Sequence, residues 1–213
     1  MGKRRSASTV DRETMLARAA IGLLAKQDWS RLTLAAVARA AKLPLRDAAV
    51  LAGSKIGVAG FVLRMLARET AGRYRAVSAS DDPRERLFDA TMTFFDVQRS
   101  DAKALKALYR ALQYDPVTLL ALRSDILAVS EEFLALAKAD FGLSPRLQAG
   151  VFAGILLRAV SVWLHDDAEL GKTMARLDGD LRRAARLLWP KPRQTTASPA
   201  SAKMKKASRH RKK

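Results

Sequence analysis

The residues whose types and spacing first suggest chemistry are His165-Asp166-Asp167, an imidazole beside two carboxylates. Those are the donor types of a metal site. A hydrolytic metal site needs further ligands at helical spacing, and none stand nearby in the sequence. The same three residues have a plainer use. Asp166 or Asp167 can cap a last helix, and His165 can end the helix before it, where a cation is favoured. No metal site is expected. Cysteine is absent, which excludes disulfides, thiol catalysis and zinc fingers and suits a reducing compartment. No Ser/His/Asp set is visible, and Gly53, Gly57 and Gly60 lack the strand that a dinucleotide fingerprint requires. The chain reads as a protein that is not an enzyme and needs no cofactor.

What the sequence offers instead is unevenly placed positive charge. The net charge over the 213 residues is +18. Residues 1–75 hold 15 basic and 5 acidic side chains, residues 76–189 hold 15 and 16, and residues 190–213 hold 9 and none. A near-neutral body thus lies between a basic front and a basic tail. That distribution points to a polyanionic partner, either nucleic acid or an anionic membrane surface. No apolar run follows the opening MGKRRSAS, so no secretory signal is expected. The longest apolar stretch, 149–164, is interrupted by Arg158 and falls short of the roughly 20 residues of a membrane span. No transmembrane segment is expected, and the cytoplasm is the expected compartment.

Positioning these charges falls to helices. Apolar residues make up 49% and aromatics only 6%, with Leu and Ala dominant, and nothing alternates as a strand would. An all-α fold follows. Residues 1–9 read as a flexible basic arm. From Val10, Met15/Leu16, Ala19/Ala20 and Leu23/Leu24 recur as one helical stripe. Thr33 opens a second helix with buried Leu34, Val37, Ala38 and Ala41. A third runs from about Pro44 to Ala52 and stops at Gly53, and Ser54 caps a fourth that runs to about Val77. Asp82-Pro83, Asp115-Pro116 and Ser144-Pro145 each set a capping side chain before a proline. Asp82 and Glu85 also have capping-box spacing. Helices are expected near 83–98, 101–113, 116–139, 145–165 and 168–188. The stretch after Trp189 lacks an apolar period and is expected to be disordered.

The segment RLTLAAVARAAKLPLRDAAVLAGSK (31–55), with the stripe before it, resembles the tetracycline-repressor (TetR) family of bacterial regulators. In that family a Thr opens the second helix, a pattern like Val-Ala-x-x-Ala leads into a recognition helix, and Ser-Lys begins the fourth. Thr33, Val37-Ala38, Ala41, Leu43 and Ser54-Lys55 occupy those places. The resemblance implies a three-helix, helix-turn-helix domain over 10–56 and a helical ligand-binding and dimerisation domain over 57–189, giving about nine helices. It also implies double-stranded DNA as partner. Thr33 and Ser54 would grip the phosphate backbone at helix N-termini, with Lys55 beside one of them. Arg46, with Leu45 and Ala49, would face base edges in the major groove. Lys3, Arg4 and Arg5 would follow the adjacent groove. The chain departs from the family pattern at several places. Lys42 stands where Gly is usual and Pro44 where Ser is common. Ala49, Val50-Leu51 and Ala52 replace aromatic or polar residues. Apart from the resemblance, the third helix could be a short core helix of a bundle, although the excess of positive charge at the front weighs against that.

Two later segments, 85–108 and 162–184, resemble TetR-fold lipid-binding accessory proteins of ubiquinone biosynthesis, the alternative to a DNA-binding repressor. Met92, Phe95, Tyr109 and Trp163 would line a pocket for a small apolar or lipid ligand, or serve as ordinary core. The helices 145–165 and 168–188 would form a homodimer interface. Gly150 and Gly154 could allow close approach there.

Overall fold

The computed structural model describes residues 2–74, 80–140 and 142–188, with side chains from Thr9 to Leu187. The basic segment 190–213 lies outside the described residues. Among those described there are nine α-helices and no strand: α1 (Gly2–Leu24), α2 (Leu34–Ala40), α3 (Leu45–Ala52), α4 (Lys55–Arg73), α5 (Pro83–Val97), α6 (Ala102–Tyr114), α7 (Pro116–Leu136), α8 (Pro145–Trp163) and α9 (Gly171–Leu188). Short 3-10 turns occupy Trp29–Arg31 and Arg99–Asp101.

The helix starts follow the capping signals. Thr33 Oγ1 accepts the Ala36 amide at 3.2 Å, and Ser54 Oγ accepts Ile56 N at 3.2 Å. Asp82 accepts from Arg84 N at 2.8 Å, and Asp115 from Val117 N and Thr118 N at 3.1 Å each. Ser144 makes no side-chain cap bond. The capping box of Asp82 and Glu85 is not closed directly: Ser80 Oγ accepts from Asp82 N and donates to Glu85. Asp166, the expected cap of the last helix, takes both the amide and the hydroxyl of Thr173 at 2.7 Å.

Several boundaries move. Helix α1 begins at Gly2, so residues 2–9 continue the first helix and do not form a separate arm. Helix α4 ends where Tyr74 turns extended, and Val77 lies outside the described residues. Helix α7 stops at Leu136 because Lys138 takes φ 48°. Its amide bonds Ala135 O and that of Ala139 bonds Leu134 O, a Schellman end built on lysine.

Helix α4 is the central element, packed against α1 on one side and α7 on the other; α7 packs on α8, and α8 on α9. The front half of the core joins Leu16, Ile21 and Leu24 of α1 to Val37 and Ala38 of α2, Ala48 of α3 and Val58 and Val62 of α4. The rear half is built around rings. Phe95 lies 5.3 Å from Trp163, and Phe94 and Phe152 each lie 5.9 Å from Phe133. Complete burial of a Phe such as Phe95 contributes about 3 kcal/mol. Ion pairs cross the same contacts. Arg64 of α4 pairs with Asp125 of α7, and Arg18 of α1 pairs with Glu69 of α4 and, at 2.8 Å, with Asp101. Helix α8 is long and apolar enough to cross a membrane. Here Ala149, Phe152, Ile155, Leu156, Ala159 and Trp163 are buried.

Candidate nucleic-acid interface

Helices α2 and α3 form a helix-turn-helix whose turn is fixed by backbone bonds. The Leu43 amide reaches Ala38 O at 2.9 Å and the Lys42 amide reaches Arg39 O at 3.1 Å, so Lys42 holds the left-handed position at φ 56°. A lysine there costs about 1 kcal/mol relative to glycine. Leu43 then packs against the core, and Pro44 starts α3.

With about 100° per residue, the eight residues of α3 divide cleanly. Ala48 is fully buried, with Leu51 and Ala52 packed against the core beside it. Arg46 and Val50 point away from Ala48, and Ala49 at the side and Leu45 in the first turn are exposed as well, with Leu45 at 52% and Val50 at 80%. Asp47 lies at the flank, 4.0 Å from Arg12 of α1. Arg46 has no side-chain partner among the described residues.

The junction with α4 holds α3 in place. Gly53 takes φ 67° and Ser54 caps α4, so the two helices meet at 70°. A Cβ on Gly57 would stand 1.9 Å from Ala52 O. Only a glycine lets the first turn of α4 pass that carbonyl.

The expected phosphate contacts are placed differently from one another. Thr33 and Ser54 are exposed at helix starts, each using oxygen lone pairs for its cap and keeping its hydroxyl proton. Lys55 is turned inward: its ammonium lies 4.9 Å from the Trp29 ring centroid and donates to Trp29 O at 3.1 Å. Lys55 also lies near enough to Asp115 to act on it. Hydrogen bonds from the Thr118 hydroxyl and amide hold the Asp115 carboxyl below its ordinary range, and the charge of Lys55 adds to this. The side chains of Lys3, Arg4 and Arg5 lie outside those described. Two cations absent from the sequence reading stand on the helix-turn-helix itself. Arg39, in the last turn of α2, and Lys42, in the turn, are exposed with no side-chain partner among the described residues. Their charge is visible in the sequence, but their lack of a partner is a property of the fold.

Behind the helix-turn-helix, α4, α5, α6, α7 and α8 line a partly open cavity of about 80 Å³. Tyr109 and Trp163 are on its wall, together with Leu63 and Leu66 of α4 and Phe94 of α5. Met92 and Phe95 are not. Phe95 is fully buried in the core against Trp163, one helix position away from the wall. Tyr109 Oη accepts from Gln113 Nε2 at 3.2 Å, which leaves its own proton to donate.

No protein-family model matches the sequence, and no curated protein matches it. Solved structures do match. A TetR transcriptional regulator from Rhodococcus sp. RHA1 superposes with a TM-score of 0.62 at 12% identity, covering 83% of this chain and 97% of that one. The TetR-family repressor AlkX from Dietzia sp. strain DQ12-45-1b, implicated in biodegradation of n-alkanes, gives 0.50 at 18% identity, covering 83% and 96%. From the helix-turn-helix at the front to the α8–α9 pair at the rear, this chain has the all-α fold of the TetR-family transcriptional regulators.

Proposed function

We propose that the protein is a TetR-like transcriptional regulator that binds double-stranded DNA as a homodimer and acts as a repressor released by a small ligand. The observation that carries this reading is α3. Its inner face is locked into the core, while its outer face offers one guanidinium without a side-chain partner and is left uncovered among the described residues. In this reading Arg46 contacts guanine in the major groove, with Leu45 and Ala49 beside it. Thr33 and Ser54 donate to phosphates, Arg39 and Lys42 supply charge, and Lys3, Arg4 and Arg5 add charge from the start of α1. Lys55 contributes by orienting the head.

The second copy would meet α8 and α9, where Leu147, Gly150 and Gly154 are exposed on one helix and Met174 and Leu187 on the other. Two heads then face successive major grooves. The cavity suits an uncharged apolar molecule with one hydrogen-bond acceptor for Tyr109. At about 80 Å³ it takes a few heavy atoms as it stands. A larger occupant must part its walls. One of those walls is α4, whose first turn sets the angle of α3, so a ligand favouring the parted state disfavours the reading geometry.

The test is fluorescence anisotropy of the full chain with the DNA upstream of its own coding sequence and with a shuffled duplex, at about 0.15 M salt, where weak nonspecific attraction is screened. The expected result is about a hundredfold or greater preference for the genuine sequence. Equal affinity for both duplexes would remove the regulator reading.

A further inference from the structure

An apolar reading face needs a code that hydrogen bonds do not supply. The outward surface of α3 carries the side chains Leu45, Ala49 and Val50 around Arg46. It has no Asn or Gln to take adenine bidentately. Its acid, Asp47, lies at the flank beside Arg12, away from where a cytosine amine would be met. Exposed leucine and valine at 52% and 80% are also costly to leave in water. One feature of the major groove is apolar: the 5-methyl of thymine. Charge complementarity makes DNA the occupant of this face, since residues 1–75 carry 15 basic against 5 acidic side chains and Arg39 and Lys42 flank the helix.

We infer that this protein selects its operator chiefly through thymine methyl groups packed against Leu45, Ala49 and Val50, around a single guanine held by Arg46. The inference rests on the regulator reading and extends it to the class of sequence recognised. Each half-site contains a T-rich core with one G·C pair at the Arg46 position. Arg46 lies between Leu45/Ala49 and Val50 on the helix surface, so thymines fall on both sides of that pair. Specificity comes from apolar contact, and the phosphate contacts supply most of the affinity.

The experiment uses the full chain throughout. Preferred duplexes are selected from a random library, and each thymine of the best half-site is then replaced by deoxyuridine. The replacement removes only the methyl and leaves base pairing and the minor groove intact. Loss of one buried methyl weakens binding about threefold to fivefold. The expected result is such a loss at two or more positions flanking a G·C pair, with a combined loss of about tenfold or more. In Val50→Ala, an exposed and fold-neutral change, the deoxyuridine penalty on one side should disappear. Affinity within twofold after replacing every thymine overturns the inference and leaves the regulator reading standing. Selection that enriches no sequence overturns both.

Discussion

Lys55 shows how a side chain at a familiar position can take on a different task. The resemblance puts it on a DNA phosphate, yet its ammonium lies over Trp29 and bonds that residue's carbonyl. Replacing it with methionine removes a part-buried cation–π contact and a charge-assisted hydrogen bond. Lys55→Met is therefore expected to lower unfolding stability by about 1–2 kcal/mol in urea titrations. It should leave the slope of log affinity against log salt unchanged, whereas a lost phosphate contact reduces that slope by about 0.9. Thr33 and Ser54 were legible because a cap announces itself locally. Arg39 and Lys42 were not, because an unpaired cation is defined by what fails to approach it in space. Met92 and Phe95 illustrate the same point from the apolar side. Helical periodicity marks a buried stripe, but whether a residue faces a cavity or a neighbouring ring depends on the helix packed against it. Phe94 lines the cavity and Phe95 does not.

Between elements, the decisive feature is the α3–α4 junction. Gly57 passes 1.9 Å, measured from where its Cβ would stand, from the end of α3. A methyl there cannot be absorbed by a side-chain rotation, because its obstacle is a backbone carbonyl. Gly57→Ala is expected to cost about 3 kcal/mol in stability and to weaken binding to the preferred DNA through a displaced α3. A melting temperature unchanged from the wild type would contradict the tight junction. Gly60 is a milder case: its neighbour is the Asp125 carboxylate, which could retreat at the expense of its pair with Arg64. Helix starts at Thr33, Ser54, Asp82 and Asp115 were readable because each has a side-chain acceptor of known geometry. The ends were harder. Lysine holds the left-handed position after both α2 and α7, where glycine would have marked the stop. Helix α1 starts well ahead of Val10, where the apolar stripe begins, because residues 2–9 carry no apolar period to mark it.

Over the whole molecule, the all-α class was legible from composition, and the split of charge into a basic front and neutral body was legible by counting. What counting could not show is how front and body are joined. Arg18 ties α1 to Glu69 and Asp101, while Arg64 ties α4 to Asp125, so α4 is shared by the helix-turn-helix and the cavity wall. In the proposed function, a change in the cavity walls would reach the α3–α4 junction along this one continuous helix. The proposed function requires that α3 reads DNA. Its most direct test is the affinity ratio between the genuine upstream duplex and its shuffled partner, measured for the wild type and for Arg46→Ala. Arg46 is exposed and has no side-chain partner among the described residues, so its loss leaves the fold intact. The ratio is expected to fall about tenfold or more, as for a lost bidentate guanine contact of about 1–3 kcal/mol, while binding to shuffled DNA changes little. A ratio unchanged by the substitution would contradict it and move the reading surface elsewhere on the head.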